Sequence, residues 1–138
     1  MSKEFSGEDT AKFSSDIVAG QAPALSPEEA SALAALPSGS ALLIVHRGPG
    51  AGSRYLLDQN QSIAGRHPDA DIYLDDVTVS RRHASFDRAG NIFTVSDLGS
   101  MNGTYIDSQR VDKQRLINGM EIMIGKFRLT FYSSDKDR

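Results

Sequence analysis

The fold of this chain is decided by three short segments, which read Gly65-Arg66, then Val79-Ser80-Arg81-Arg82-His83-Ala84, then Gly99-Ser100-Met101-Asn102-Gly103-Thr104. Each segment lies between stretches rich in β-branched and aromatic residues, which are typical of strands. We therefore expect the segments to form loops of a β fold. Together they supply an arginine, a serine and an asparagine, which are side chains suited to holding an oxyanion.

The sequence around these segments predicts an all-β sandwich. From Ser40 onward, short apolar stretches alternate with Gly, Asn, Asp and Pro, without helical periodicity. We predict ten strands, at residues 41–46, 54–57, 62–65, 71–74, 83–87, 92–96, 104–106, 109–111, 121–124 and 127–132. In a sandwich, loops gather at the two ends, so the three segments are expected to meet at one of them.

Residues 1–39 differ from the rest in composition and charge. They carry two lysines against six acidic residues, a net charge of −4, whereas residues 40–138 carry +1. We predict a mostly disordered, flexible tail, because its apolar residues are few and lack periodicity. One short helix is expected near residues 27–36, because Ser26-Pro27-Glu28-Glu29 combines a capping serine, an N1 proline and a capping-box glutamate. Residues 40–132 are predicted to form the folded domain, and residues 133–138 a disordered C-terminus.

The composition also argues against several classes of protein. There is no cysteine, so disulfides, thiol catalysis and cysteine-ligated zinc are excluded. The near-neutral charge of residues 40–138 argues against a nucleic-acid partner. No apolar run reaches the length of a membrane span, and no signal peptide is apparent, so we expect a cytoplasmic protein with no membrane partner. The histidines and aspartates lack metal-ligand spacing, and we predict no metal, no cofactor and no catalytic residue.

The three segments resemble the signature of the forkhead-associated (FHA) domain, a module that binds phosphothreonine. The match also includes Asp71-Ile72, Leu74-Asp75-Asp76, Asn118-Gly119 and Ile124-Gly125, and it covers roughly residues 40–132. The resemblance implies a sandwich of about eleven strands, one more than the pattern itself predicts. It also implies a phosphothreonine site at the loop end.

The resemblance assigns roles to individual residues. Those expected to bind phosphothreonine are Arg66, Ser80, Arg81, Ser100 and Asn102, with Arg66 and Ser80 on the phosphate and Asn102 on the ligand's main chain. Those expected to support the site are Gly65, His83, Gly99, Gly103 and Thr104. The chemistry is consistent, because a phosphothreonine carries about −1.5 to −2 charges and three acceptor oxygens.

A narrower resemblance covers the tail as well. Pro37 to Leu43, Arg47 to Pro49 and Ile124 to Leu129 are similar to the actinobacterial glycogen-accumulation regulators, also known as oxoglutarate dehydrogenase inhibitor proteins. Members of this group inhibit oxoglutarate dehydrogenase, and some regulate glutamate-forming enzymes. A Ser/Thr protein kinase phosphorylates a tail threonine, and the tail then docks on its own FHA site and switches the protein off.

In this chain the resemblance points to Thr10 as the phosphorylation site. The segment Glu8-Asp9-Thr10-Ala11-Lys12-Phe13 aligns with the regulatory segment of the group, which has two adjacent threonines. Asp9 replaces the first threonine, and Thr10 is the only threonine before the folded domain. We therefore expect residues 1–39 to be a regulatory tail with one switchable position, and the protein to be a monomer.

Three alternatives remain open at this point. The chain could be an adaptor that binds phosphothreonine on other proteins, such as a kinase. It could be a hydrolase built on Ser80, His83 and Asp97, although the family resemblance implies that His83 braces the loops instead. A nucleic-acid-binding protein is the third alternative.

Overall fold

The computed structural model describes residues 23–138 as one helix and a two-sheet β-sandwich. Helix α1 spans Pro27–Ala34. Within the described residues there are eleven strands: β1 Ala41–Arg47, β2 Arg54–Leu57, β3 Gln61–Gly65, β4 Ile72–Tyr73, β5 Ala84–Ala89, β6 Ile92–Asp97, β7 Thr104–Ile106, β8 Gln109–Val111, β9 Lys113–Leu116, β10 Glu121–Ile124 and β11 Phe127–Ser133. No helix in this part of the chain is long and apolar enough to cross a membrane.

The strands form two sheets that enclose the core. One sheet has the order β2-β1-β11-β10-β7-β8, and the other has the order β4-β3-β5-β6-β9. Most strands bury apolar side chains on the inner face, as a sandwich requires. In β1 the outer residues Leu42 and Ile44 are buried as well. Phe93 of one sheet contacts Phe131 of the other, with ring centroids 5.5 Å apart. This confirms the predicted fold class.

Helix α1 forms where the sequence predicts it. The Ser26 side chain accepts a hydrogen bond from the Glu29 backbone N–H at 3.1 Å, and the Glu29 carboxylate accepts one from the Ser26 N–H at 3.0 Å. This reciprocal capping box fixes the start of the helix. Leu33 and Leu36 form a second, smaller apolar cluster with Leu42, Ile44 and Tyr132 on the outer face of the β1–β11 sheet.

The helix has a definite direction along the sandwich. Near its start, the carbonyl oxygen of Glu28 accepts from Arg54, which lies opposite Ile44 in the β1–β2 pair. Beyond its end, the carbonyl oxygen of Leu36 accepts from Ser134, which follows β11. The helix therefore runs antiparallel to β1, and its N-terminus points toward the sandwich end where β1 ends and β11 begins.

Two expectations differ from the structure. The strand pattern does not predict β9, because Lys113-Gln114-Arg115 is polar, and in the structure only Leu116 of this strand is buried. It is the edge strand of its sheet, where a polar sequence is tolerated.

The prediction that residues 133–138 are disordered is wrong. Ser133 belongs to β11, and Asp135–Asp137 form a 3₁₀ helix. The Asp137 carboxylate accepts from the Ser38 hydroxyl at 2.5 Å and from the Gly39 N–H at 2.7 Å. Lys136 donates to the Leu36 carbonyl at 2.9 Å. These bonds fasten the C-terminus to the connector between α1 and β1.

Candidate functional site

The first two loops of the site are held together by backbone contacts. The Arg66 N–H donates to the Ser80 carbonyl at 3.0 Å, and the His67 N–H donates to the Arg81 carbonyl at 3.4 Å. Gly65 allows this approach, because a Cβ atom there would lie 1.9 Å from the Arg81 carbonyl oxygen. Gly65 therefore acts through close packing, since its φ angle is not positive.

Arg66 is oriented by a hydrogen bond of its own. Its Nε donates to the Val79 carbonyl at 3.1 Å, and its two terminal nitrogens have no hydrogen-bond partner among the described residues. The ion pairs among residues 23–138 are His67–Asp69 and Lys136–Asp135, so neither Arg66 nor Arg81 is paired with a described carboxylate. Both arginines are exposed. Two guanidinium groups are thus presented beside the Ser80 loop.

His83 braces the loops and is fully buried, with 0% of its surface exposed. Its Nδ1 accepts from the Ser80 backbone N–H at 3.1 Å, and its Nε2 lies 2.8 Å from the Gly103 carbonyl oxygen. An acceptor at Nδ1 and a donor at Nε2 define the tautomer with the proton on Nε2. The imidazole therefore connects the second loop to the third.

The third loop is organised around the carboxylate of Asp97. It accepts from the Ser100 hydroxyl at 2.5 Å, from the Thr104 hydroxyl at 2.8 Å, and from the N–H groups of Gly99 and Ser100 at 3.0 and 3.1 Å. Burial raises the pKa of Asp97, but these hydrogen bonds outweigh burial and hold the pKa below its ordinary value of 3.8. Asp97 therefore stays ionised and fixes the turn.

The second and third loops are also joined directly. The Ser80 hydroxyl oxygen accepts from the Met101 N–H at 3.1 Å, which leaves its hydroxyl hydrogen available for a ligand. Asn102 Nδ2 donates to the Thr78 carbonyl at 2.8 Å. This fixes the carboxamide and leaves its oxygen and its second N–H hydrogen available.

Thr78 was not singled out from the sequence. Its hydroxyl donates to the Asp76 carboxylate and accepts from the Lys126 N–H at 3.0 Å. Hydrogen bonds from Thr78 lower the pKa of Asp76. The sequence does contain a signal for this turn, the pattern Asp76-Val77-Thr78. An aspartate often accepts a hydrogen bond from the backbone N–H two residues further along the chain.

The predicted site residues divide into two groups in the structure. Arg66, Ser80, Arg81 and Asn102 meet at one end of the sandwich and present polar groups outward. Ser100 does not, because its hydroxyl is donated to Asp97 and accepts from the Gly103 N–H at 2.9 Å, and the residue is buried. Ser100 therefore supports the turn, as Thr104 does, by donating its hydroxyl to Asp97.

The two glycines of the third loop serve its backbone. Gly99 and Gly103 have φ angles of 75° and 84°, which favour glycine. A Cβ atom at Gly103 would also lie 2.8 Å from the Arg110 Nε.

The geometry does not form a hydrolytic triad. His83 binds the backbone N–H of Ser80 and not its hydroxyl, and both ring nitrogens are occupied. Asp97 binds Ser100 and Thr104, so it does not orient the imidazole. Within residues 23–138 there is also no group of three His, Asp or Glu that could hold a metal ion. What the loops present is a set of fixed donors for an anionic oxygen.

Two surface depressions flank these donors. One, of about 440 Å³, is lined by His67, Arg81, Arg82 and neighbouring residues of the first two loops. The other, of about 340 Å³, lies on the far side and includes Thr78, Asn102 and Lys126. An extended ligand that crosses the donors would therefore find room on both sides.

Comparison with known proteins identifies the family. A family model described as the FHA domain matches residues 63–125. The glycogen accumulation regulator GarA of Mycolicibacterium smegmatis is 54% identical over 139 aligned residues, which cover 99% of this chain and 88% of that protein. The chain belongs to the FHA family. An oxoglutarate dehydrogenase inhibitor of Corynebacterium jeikeium is 61% identical over 102 residues, covering 74% of this chain and 71% of that protein.

Solved structures agree with this assignment. An FHA domain studied for its phosphothreonine-dependent interactions matches with a TM-score of 0.63 and 32% identity, covering 67% of this chain and 95% of that domain. EmbR of Mycobacterium tuberculosis, in complex with a low-affinity phosphopeptide, matches with a TM-score of 0.64 and 32% identity, over 70% of this chain and 25% of EmbR. The FHA resemblance of the sequence is thereby confirmed.

Proposed function

We propose that this protein is a phosphothreonine-binding regulator whose own tail switches it off. The observation that carries the proposal is the convergence of Arg66, Ser80 and Asn102 from three loops that are hydrogen-bonded to one another. Arg66 and Ser80 bind the phosphate, with Arg81 adding a second positive charge. Asn102 binds the ligand's main chain. Charge-assisted hydrogen bonds of this kind are about twice as strong as neutral ones.

The supporting residues keep this arrangement rigid before the ligand arrives. His83 connects the second and third loops, and Asp97 holds the third through Ser100 and Thr104. Gly65 brings the first loop against the second. Preorganisation matters because ordering flexible side chains on binding costs about 0.5–1.5 kcal/mol each.

The ligand that switches the protein off is its own tail, phosphorylated at Thr10 by a Ser/Thr protein kinase. Thr10 lies outside the described residues, so support comes from where the tail joins the domain. The N-terminus of α1 points toward the end of the sandwich where β11 begins. The hydrogen bond from the Lys126 N–H to the Thr78 hydroxyl links that end to the loops that carry the donors. The thirteen residue steps from Thr10 to Pro23 span at most about 47 Å. This exceeds the length of the seven-residue strand β1, roughly 23 Å.

The free energy of phosphothreonine binding is sufficient to keep most molecules closed once the tail is phosphorylated. A phosphothreonine site with micromolar affinity corresponds to about −8 kcal/mol. A tethered ligand has an effective concentration on the order of 0.1–1 mM. Dividing this effective concentration by a micromolar dissociation constant gives about a hundred closed molecules, or more, for each open one. Without the phosphate the charge-assisted bonds are lost and the site opens.

In its open state the protein binds and inhibits an enzyme that uses 2-oxoglutarate. Support comes from the relatives, which are named a glycogen accumulation regulator and an oxoglutarate dehydrogenase inhibitor. We propose oxoglutarate dehydrogenase as the partner, and glutamate-forming enzymes as further partners. The protein acts as a cytoplasmic monomer and is not itself an enzyme.

Phosphorylation of Thr10 tests the switch directly. In amide NMR spectra of the full chain treated with a Ser/Thr kinase, we expect shifts at Arg66, Ser80 and Asn102 with no change in molecular mass beyond the phosphate. The variant Thr10→Ala is the control, and it should remain a permanent inhibitor. Unchanged loop signals after confirmed phosphorylation would refute the switch.

The second candidate function is an adaptor that binds phosphothreonine on other proteins, such as an autophosphorylated kinase. The same set of donors favours it, because Arg66 and Asn102 are exposed and would also bind a phosphothreonine on another protein. A comparison of two variants, Arg66→Ala and Thr10→Ala, distinguishes the two functions. An adaptor loses its partner on Arg66→Ala and is indifferent to Thr10→Ala, whereas the regulator responds to both.

A further inference from the structure

Arg66, Ser80 and Asn102 form what we call the phosphothreonine cradle. The two most exposed large apolar side chains of the described chain lie in the loops beside it. Val77 and Met101 are 83% and 88% exposed, and the next is Ile117 at 59%. Val77 precedes Thr78 in the second loop, and Met101 lies between Ser100 and Asn102 in the third. Scattered apolar residues on a surface are common, but two at the loop tips of one binding site are a candidate interface.

The loops that carry these two residues are fixed to each other. The backbone N–H of Met101 donates to the Ser80 hydroxyl at 3.1 Å, and Asn102 donates to the Thr78 carbonyl at 2.8 Å. The Lys126 N–H donates to the Thr78 hydroxyl at 3.0 Å. Val77 and Met101 are therefore presented on rigid backbone, so that burying them requires little ordering of the chain.

The proposed function needs such a surface. In the proposed function, the docked tail switches the protein off by covering the three loops, so the open state binds the enzyme through those loops and without a phosphate. A carboxylate supplies one negative charge where phosphate supplies about −1.5 to −2. A carboxylate also has fewer oxygens for Arg66 and Ser80. Affinity for an unphosphorylated partner must therefore come largely from other contacts, and apolar burial is the strongest term available to a protein surface.

We propose that Val77 and Met101 form an apolar rim that docks the unphosphorylated partner enzyme. This inference rests on the proposed function. The occupant is a surface segment of the enzyme in which an acidic side chain lies next to apolar ones. The acidic side chain pairs with Arg66 and Arg81, which have no described ion-pair partner, and the apolar ones cover the rim. Phosphate recognition and enzyme recognition thus share Arg66 and Arg81, and only enzyme recognition depends on the rim.

The double variant Val77→Ser/Met101→Ser tests this division. Both side chains are exposed, so the substitutions leave the core intact. The matched control is Leu56→Ser/Ile117→Ser, which removes two exposed apolar side chains away from the cradle. Each full-length protein is assayed for inhibition of oxoglutarate dehydrogenase purified from the organism that encodes the chain. Each is also titrated calorimetrically with a peptide of residues 4–16 phosphorylated at Thr10.

We expect the rim variant to need at least about tenfold more protein for half-inhibition, since each buried apolar side chain is worth roughly tenfold or more in affinity. Its affinity for the phosphopeptide should stay within about twofold of wild type, and the control should match wild type in both assays. Inhibition unchanged in the rim variant would overturn the inference. An equal loss of enzyme inhibition and peptide affinity would also overturn it, because the rim would then belong to the phosphopeptide site. If the wild-type protein does not inhibit the enzyme at all, the proposed function fails first, and the inference fails with it.

Discussion

The substitution Gly65→Ala should damage the phosphothreonine site without altering any side chain that touches the ligand. An alanine Cβ at this position would lie 1.9 Å from the Arg81 carbonyl oxygen, 2.7 Å from the Arg81 carbonyl carbon and 3.2 Å from the Ser80 carbonyl oxygen. Non-bonded carbon atoms normally lie about 3.5 Å apart or more. The neighbours are backbone, so the Ser80–Arg81 segment must move by more than about 1 Å.

The size of the effect follows from what this movement disrupts. Overpacking of this kind costs about 1–3 kcal/mol. Weakening the hydrogen bond from the Arg66 N–H to the Ser80 carbonyl, which is 3.0 Å long, adds about 1 kcal/mol. We expect the free energy of unfolding to fall by about 2–4 kcal/mol, and the melting temperature by about 4 °C per kcal/mol. Phosphopeptide affinity should fall by about tenfold to a hundredfold, because Ser80 and Arg81 leave their positions relative to Arg66.

Urea unfolding and calorimetric titration with the phosphorylated 4–16 peptide measure the two effects. The control is Gly90→Ala, at a φ of 65° with no atom within 4 Å of the new methyl group. It should cost about 1–2 kcal/mol of stability through its backbone conformation and leave peptide affinity unchanged. If Gly65→Ala binds the peptide as tightly as wild type, the reasoning that backbone contact between the first two loops positions the site is wrong.

Three further predictions concern the supports of the site and the C-terminus. His83→Ala removes the partner of the buried Gly103 carbonyl and of the half-buried Ser80 N–H. The free energy of unfolding should fall by about 2–4 kcal/mol and the peptide affinity at least tenfold, measured by urea unfolding and calorimetry. Asp97→Asn should cost about 2–3 kcal/mol near neutral pH, measured by urea unfolding. Because the folded-state pKa of Asp97 is lowered, its stabilisation is present above the ordinary value of 3.8 and is lost as the pH falls through the lowered value. The difference between wild type and Asp97→Asn should therefore shrink from about pH 6 to about pH 3. Asp137→Ala removes the acceptor of the Gly39 N–H and should speed hydrogen exchange at Gly39.

Each of these predictions has a contradicting result. If His83→Ala binds the peptide as tightly as wild type, His83 does not brace the loops of the site. A pH-independent difference for Asp97→Asn would mean that the hydrogen bonds do not stabilise the ionised form. Unchanged exchange at Gly39 would show that the C-terminal 3₁₀ helix does not protect the connector.

The sequence predicts most of the fold because strand and turn signals are local. Ten of the eleven strands follow from β-branched and aromatic residues, and α1 from its capping box. The remaining features depend on contacts that are distant in sequence. Strand β9 exists because Thr94 and Val95 of β6 pair with a polar segment, and the C-terminus is ordered by contacts to residues about 100 positions earlier.

The site is predictable in its residue types and less so in its geometry. Arg66, Ser80 and Asn102 are marked by their position between strand signals and by the family resemblance. The sequence does not indicate that the Ser100 hydroxyl turns inward to Asp97 or that Thr78 anchors Asn102. Both depend on how the second and third loops approach each other, which no single segment encodes.

The central claim is that three loops at one end of the sandwich form a cradle for phosphothreonine. An amide NMR titration of the full chain with the phosphorylated 4–16 peptide tests it most directly, with the unphosphorylated peptide as the control. We predict saturable shifts concentrated at residues 65–67, 78–82 and 100–103, and none with the control. Shifts that are absent, that lie elsewhere on the sandwich, or that appear equally with both peptides would contradict the claim.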